Sequence, residues 1–357
     1  MRIARVTTLL NYGGQERKLV SFTDKPYLLR NSYIFSAIGN GGEAEKIINE
    51  RNFVTKVFNL NPKIHNVTNI LYLYQWFKHI QPDVVHTAAA EANFHGVIAA
   101  KLAGVKYIVA EEIGCPNHSK LARYIFRFIY MFTTKVVCVS YAVQNHLINI
   151  GEIKKNQSVV IYNPVSKPHK FLREEHQRFT LVTIGRLEPV KNHKLLIQAL
   201  SQIDDITIQL IIVGDGSDRN QLEQLSNKLG LQDRVLFTGY TNTPEKYLAK
   251  ADLFVLPSLS EGFGIAAVEA MFCNVPTLCT NVGGCPELIQ ENESGWSFNP
   301  HDLEELVDKI NMISQLDQSE LAKVAERARS FALQNFTSQQ YVETLENFYD
   351  SLIDQNE

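Results

Sequence analysis

Short apolar runs alternate with amphipathic segments almost from end to end of this chain, and nothing else in the sequence limits the fold as much. The runs at 3–10, 32–38, 53–58, 83–86, 106–110 and 135–139 predict strands. Between them, helical spacing marks 15–22, 43–50, 67–80, 92–102, 119–132 and 141–150. Strands without a polar face belong in a parallel sheet covered by helices on both sides. Over 162–176 the pattern stops: YNPVSKPHKFLREEH is polar, aperiodic and twice interrupted by proline, and reads as a linker. A second series follows, with strands expected at 179–184, 206–213, 234–238, 252–256 and 276–280. Its helices are expected at 191–201, 217–229, 243–250 and 265–272, then as three more from 301 onward, divided near Leu316 and Phe336. The expectation is an α/β protein of two doubly wound, Rossmann-like parallel-sheet domains facing a central cleft, 1–165 and 166–336. Its 357 residues exceed what one core normally holds. Ligands of such sheets lie beyond the carboxyl ends of the strands.

Charge and cysteine usage narrow the class. A formal net charge of −3 gives no basic surface excess for nucleic acid. The five cysteines form no CxxC pair, and without a secretory pattern they read as reduced thiols of a cytoplasmic protein. The opening MRIARVTTLLNYGGQE has a short apolar run that ends in Asn-Tyr-Gly-Gly, so it reads as a first strand and not as a signal peptide. No stretch has the apolar length needed to span a bilayer.

Two stretches carry chemistry. The segment 257–272, PSLSEGFGIAAVEAMF, leaves a strand, turns through glycines and enters a helix that looks apolar all round and therefore buried. Its glycines admit close backbone approach, and the new helix N-terminus offers N–H groups to an anion. Glu269 sits among Ala266, Ala267, Val268, Ala270 and Met271, and a buried carboxylate there suits a vicinal diol such as a ribose. The second stretch, GRLEPVKN, places Arg186 and Lys191 past a strand end. There a rigid guanidinium fork and a mobile ammonium suit a pyrophosphate, although a loop with two solvated cations has the same look. Gly214-Asp215-Gly216 lacks the third glycine of a dinucleotide fingerprint. No Asp-x-Asp pair and no ligand-spaced cluster stands in the chain, so neither a metal nor a cofactor is expected.

In this order and spacing the motifs resemble the family-four retaining glycosyltransferases of GT-B type, particularly those of surface polysaccharides such as lipopolysaccharide O-antigen. The resemblance rests on Gly13-Gly14-Gln15-Glu16, GRLEPVKN, VGDGSDRNQLEQLSNKLGL, RVLFTGY, PSLSEGFGIAAVEAM and NVGGCPELI. It implies transfer of a sugar, with retention, from a UDP- or GDP-linked donor to a glycan or polyprenyl-diphosphate-linked acceptor. The rivals are a soluble metabolite acceptor and a non-catalytic subunit that keeps the fold. By resemblance, Arg186 and Lys191 hold the diphosphate, Glu269 the ribose, and Glu261 the donor sugar. Asn192, Gly262, Phe263, Gly264 and Ile265 line the donor, Gly13 and Gly14 close on it, and the base lies near Tyr240. The final helix, 337–357, is expected to pack back on the first domain.

The chain also departs from the pattern. Where many members carry a His-Gly pair, it reads Ala110-Glu111-Glu112-Ile113-Gly114, with Ile113 in the histidine's place. Glu112, and less so Glu111, is a candidate for acceptor or sugar hydroxyls, or else an exposed loop carboxylate. His86, taken as closing a strand, is a second candidate, and His95 is read as structural. The segment 120–135, KLARYIFRFIYMFTTK, mixes cations with aromatics and suggests peripheral contact with an anionic inner membrane face. Packing against the sheet also explains its apolar residues, Ile125 and Ile129 among them.

Overall fold

The computed structural model describes residues 1–11, 13–168 and 178–354; the second half of the expected linker, 169–176, lies outside them. The chain divides into one unit of Met1–Ser166 with Phe336–Glu357 and another of Lys167–Asn335. The first unit runs β1 (Arg2–Thr7), α1 (Gly14–Phe22), β2 (Ser32–Ala37), α2 (Glu43–Glu50), β3 (Val54–Val57), α3 (Thr68–Ile80) and β4 (Val84–Ala88). It continues with α4 (Ala90–Ala103), β5 (Tyr107–Glu112), α5 (Lys120–Tyr130), β6 (Lys135–Cys138), α6 (Tyr141–Asn149) and β7 (Ser158–Val160). The second unit runs β8 (Thr180–Ile184), α7 (His193–Gln202), β9 (Gln209–Val213), α8 (Arg219–Lys228), β10 (Val235–Gly239), α9 (Glu245–Leu248) and β11 (Leu253–Leu256). After these come α10 (Ile265–Phe272), β12 (Thr277–Thr280), β13 (Trp296–Phe298), α11 (Leu303–Ser314) and α12 (Gln318–Asn335). The last helix, α13 (Ser338–Asp354), belongs to the first unit.

Both sheets have the doubly wound order, β3-β2-β1-β4-β5-β6-β7 and β10-β9-β8-β11-β12-β13. Every named pairing is parallel, and the central strands β4, β8 and β11 are buried along their full length. That is why those runs carry no alternation in the sequence. The expected α/β class of two parallel-sheet domains is borne out. In each sheet the strand order reverses at one place, between β1 and β4 and between β8 and β11, and ligands of this architecture bind beyond such a point.

Most expected elements lie within a few residues of their predicted bounds, and α10 matches at both ends. The short edge strands β7 and β13 were not expected, because three residues are too few to show a period. The first unit's core gathers Ile3, Phe22, Phe35, Val84 and Val109 with Tyr341, Val342, Leu345, Tyr349 and Leu352 of α13, so the final helix packs where expected. The second core joins Leu181, Leu196, Leu210 and Val255 to Trp296, Ile310 and Leu321.

Candidate functional site

In the second unit, two of the expected residues, Lys191 and Glu261, meet beyond the reversal between β8 and β11. Beyond β8, Gly185 and Arg186 lead through a single 3₁₀ turn, Pro189–Lys191, into α7. Asn192 joins the two in the left-handed region at φ 54°, and its side-chain amide donates to the Pro300 carbonyl at 3.1 Å. This brings Lys191 back across the strand ends to β11. Its Nζ lies 2.6 Å from Glu261 Oε2, with both side chains mostly buried. The Ser258 hydroxyl donates to the same oxygen at 3.2 Å. Arg186 is 70% exposed and reaches Glu188 at 2.9 Å, so in this state each cation of the expected clamp has a carboxylate partner. His193, at the start of α7, is buried, and burial with Lys191 nearby pushes its pKa down to about 4.

Two residues that sequence reasoning left without a role fix Glu261. A Cβ on Gly283, at φ 54°, would stand 1.7 Å from the Glu261 carbonyl oxygen, while the Gly284 N–H donates to that carbonyl at 3.1 Å. The Val282-Gly283-Gly284 loop is therefore the support on which the Glu261 turn rests. Ser258, fully buried, is held in turn by its carbonyl, which accepts from Thr280 Oγ1 at 2.8 Å. The NVGG motif was visible in the sequence, but its purpose is a backbone contact that no pattern reveals.

After Gly264, at φ 98°, α10 begins. It is not buried all round as expected. Ala267, Val268, Ala270, Met271 and Phe272 are buried, whereas Ile265, Ala266 and Glu269 form one half-open strip. Glu269 stands one turn from Ile265 on that strip; in the turn before the helix Gly262 is half-open and Phe263 buried. Periodicity hid this strip because two of its three residues are apolar. Tyr240, beyond β10, is 55% exposed. At the C-terminal end of α10, Asn274 takes φ 55°, a conformation that asparagine tolerates better than most residues.

In the first unit, Gly13 precedes α1 in extended conformation and Gly14 opens the helix beyond β1. His86 is corrected. Strand β4 runs on to Ala88, so His86 is in register with Arg5 and Val109 in mid-sheet and has no exposure. Its Nδ1 lies 2.6 Å from the Tyr349 hydroxyl and 3.2 Å from Arg5 Nη1, which can only donate. The proton of the neutral ring therefore sits on Nε2, 3.2 Å from Glu111 Oε2. Burial, reinforced by Arg5, pushes its pKa down to about 3. His95 is buried with Nε2 against the Pro62 and Lys63 carbonyls, a structural place.

Glu112 is not an exposed loop carboxylate. It ends β5 with 4% exposure, and its Oε1 accepts from the Tyr130 hydroxyl and, at 2.7 Å, from Asn93 Nδ2. Burial, aided by nearby Glu152 and opposed by those two bonds, raises its pKa to about 7. Glu111 beside it is paired with Lys18 and Arg5. Burial works against its ionisation, but Lys18, His86 and Arg5 outweigh that and hold it well below the usual range.

Helix α5 is split. Phe126, Ile129 and Tyr130 face the core, while Leu121, Tyr124, Phe128 and Met131 are 58–71% exposed beside Lys120 and Arg127. Packing on the sheet explains Ile129, as expected, but not Ile125, which is 38% exposed. Among the described residues no helix is long and apolar enough to cross a membrane, and no group of three His, Cys, Asp or Glu side chains could hold a metal ion.

Two family models match the chain, one over most of each unit. The model for "Glycosyl transferases group 1" matches residues 166–331, and that for "Glycosyltransferase Family 4" matches 31–167. This chain belongs to the group 1, family-four glycosyltransferases. One relative of this glycosyltransferase is the N-acetyl-alpha-D-glucosaminyl L-malate synthase of Bacillus anthracis, 33% identical over 60% of this chain and 60% of that one. Another is the UDP-Gal:alpha-D-GlcNAc-diphosphoundecaprenol alpha-1,3-galactosyltransferase of Escherichia coli, 24% identical over 81% of each. The chain thus spans less than two thirds of the first relative's length and about four fifths of the second's. Among solved structures, Anabaena HepE in complex with UDP and glucose superposes with a TM-score of 0.86 over 98% of this chain and all of that one, at 23% identity. The glycosyltransferase fold is therefore of GT-B type.

Proposed function

We propose that this chain is a retaining glycosyltransferase that moves a sugar from a nucleoside-diphosphate sugar, UDP- or GDP-linked, to a glycan on a polyprenyl-diphosphate carrier, in surface-polysaccharide assembly. The observation that carries this reading is the Lys191–Glu261 pair, a 2.6 Å contact between one cation and one carboxylate at the sheet's reversal point. A sugar diphosphate suits both partners at once. Its phosphates replace Glu261 as the partner of Lys191, and its sugar hydroxyls replace Lys191 as the partner of Glu261. Arg186 adds a second, more exposed cation, and the N-terminus of α10 a third source of positive potential. These groups stabilise the departing diphosphate without a metal, and its oxygen takes the proton of the attacking hydroxyl on the face it leaves. Glu269, on the half-open strip of α10, binds the ribose diol, and the base lies toward Tyr240. Gly13 and Gly14 bring backbone N–H groups to the diphosphate, and Glu112 accepts a hydroxyl of the acceptor or transferred sugar.

The lipid-linked acceptor is supported by the Escherichia coli relative's named substrate and by the exposed apolar and basic face of α5. That face suits an anionic membrane surface and supports a peripheral position on the inner face of the cytoplasmic membrane. A soluble acceptor is the second reading, favoured by the malate-named relative. Turnover with a polyprenyl-linked against a water-soluble acceptor separates the two.

The pair itself supplies the test. Lys191→Ala should weaken UDP or GDP binding by about tenfold to a hundredfold, the worth of a charge-assisted bond, and turnover should fall with it. Glu261→Gln frees Lys191, so it should tighten binding of the bare nucleoside diphosphate while lowering transfer. Unchanged calorimetry and unchanged turnover in both variants would refute the assignment.

A further inference from the structure

Under α1 and α13, the first unit buries a charge cluster that the proposed reaction does not use. Lys18, in the second turn of α1, has no exposure, and its Nζ bonds Glu111 Oε1. The same Nζ stands 5.1 Å from the centre of the Tyr341 ring of α13. Glu111 Oε2 lies 3.3 Å from Arg5 Nη2, and Arg5 Nη1 donates to the Tyr349 hydroxyl at 3.1 Å. With His86 neutral, two cations share one carboxylate. Arg5 and Glu111 alone would balance, so Lys18 is the surplus charge, and a surplus buried cation costs stability. Its presence calls for a purpose other than stability. Lys18 is one helical turn from Gly14, and two glycines give the preceding loop little conformational preference of its own. Upstream the loop is pinned where the Leu10 N–H donates to the Asn40 carbonyl and the Leu10 and Asn11 carbonyls accept from the Glu45 and Ala44 N–H groups, so on the α1 side Lys18 supplies a second fixed point.

We propose that Lys18 is a positioning residue for the nucleotide: through Glu111 it fixes the first turns of α1, and with them the Gly13-Gly14 loop, against the end of β5. This rests on the reading that the loop meets the donor diphosphate. The groups around Lys18 and its carboxylate are Arg5 from β1, His86 from β4, Glu111 from β5 and Tyr341 from α13, with Tyr349 of α13 bonded to Arg5. Burial, with Arg5 adding and Glu111 opposing, pushes the Lys18 pKa down to about 8. The sign matters. Because the folded state prefers the neutral amine, the cost of its charge is present below pH 8 and relieved above it, so this group makes stability rise between about pH 8 and 10.4. The tie to Glu111 loses its charge over the same range. A purely structural role moves stability and binding together, whereas positioning separates them.

The experiment uses the full chain, with UDP and GDP as probes by calorimetry, thermal unfolding, and hydrogen exchange of residues 13–22 compared at matched pH. For the wild type, nucleotide affinity should fall about tenfold on passing pH 8, the worth of the charge in that bond, while the melting temperature holds or rises. Lys18→Met should show the weaker affinity at every pH, no break near 8, and faster exchange over 14–22. A wild type whose affinity is flat from pH 7 to 9 overturns the proposal even if the variant fails to fold. So does a variant with unchanged exchange or the same break. Faster exchange with unchanged nucleotide affinity upholds the anchoring by Lys18 and overturns instead the assignment of the loop to the donor.

Discussion

Glu111 and Glu112 are neighbours in sequence and opposite in behaviour. Alternation along β5 turns the first toward Lys18 and Arg5 and the second toward Tyr130 and Asn93. Cations hold Glu111 ionised, whereas burial among neutral donors raises Glu112 to about 7. An unfolded glutamate has a pKa of about 4.3, so the folded state of Glu112 keeps a proton that the unfolded chain has released. Its contribution to stability is present in full below about pH 4 and is lost as pH rises through 7. Glutamine can accept the same two bonds without titrating. Glu112→Gln should therefore match the wild type in melting temperature near pH 4 and exceed it by several degrees at pH 8. Parallel melting curves across that range would mean that Glu112 is solvated. Whether the substitution also lowers transfer tests its place at the acceptor separately.

At the scale of the element, α5 does two things with one helix. Its inner side supplies Tyr130 to Glu112 and stacks Phe126 on His118 at 4.6 Å between ring centres, and its outer side presents apolar residues to solvent. A basic residue near an anionic surface is worth about 1 kcal/mol, so Lys120→Ser with Arg127→Ser should weaken binding to anionic vesicles about tenfold or more. Leu121→Ser with Phe128→Ser should do the same through lost insertion, leaving transfer to a soluble acceptor analogue intact. Flotation at low salt reads both; equal flotation of wild type and variants would remove α5 from the membrane reading.

At the scale of the molecule, the first unit depends on residues almost the whole chain apart. Helix α13 adds Tyr341, Val342, Leu345, Tyr349 and Leu352 to a core otherwise made before Ser166. At roughly 1.5–3 kcal/mol for each buried side chain, five of them amount to roughly 8–15 kcal/mol. That is about the whole stability of a typical domain. A chain ending at Asn335 should lose the first unit's protection from proteolysis and hydrogen exchange while the second unit, whose core lies within 178–335, keeps its own. Protection retained throughout 1–166 would show that α13 is dispensable.

The local code determined a good deal by itself. Two α/β series, a break between them, the bounds of α10, and Arg186, Lys191, Glu261 and Glu269 all lie in patterns of apolar spacing, glycine placement and motif order. What it could not determine were partners. His86 read as a strand end because its run broke after it, yet register with β1 and β5 put it in mid-sheet. Lys18 lies in a run, 15–22, marked only by its helical spacing, and Gly283 in the NVGGCPELI motif, whose backbone contact no spacing shows. The pairing first met at the end of β11 is likewise tertiary: Lys191 and Glu261 are 70 residues apart in the chain and 2.6 Å apart in space. Periodicity records which side of an element is wet or dry. Which charge meets which is decided only when sheets close and helices cross, because Coulomb and hydrogen-bond energies depend on distances that no spacing encodes.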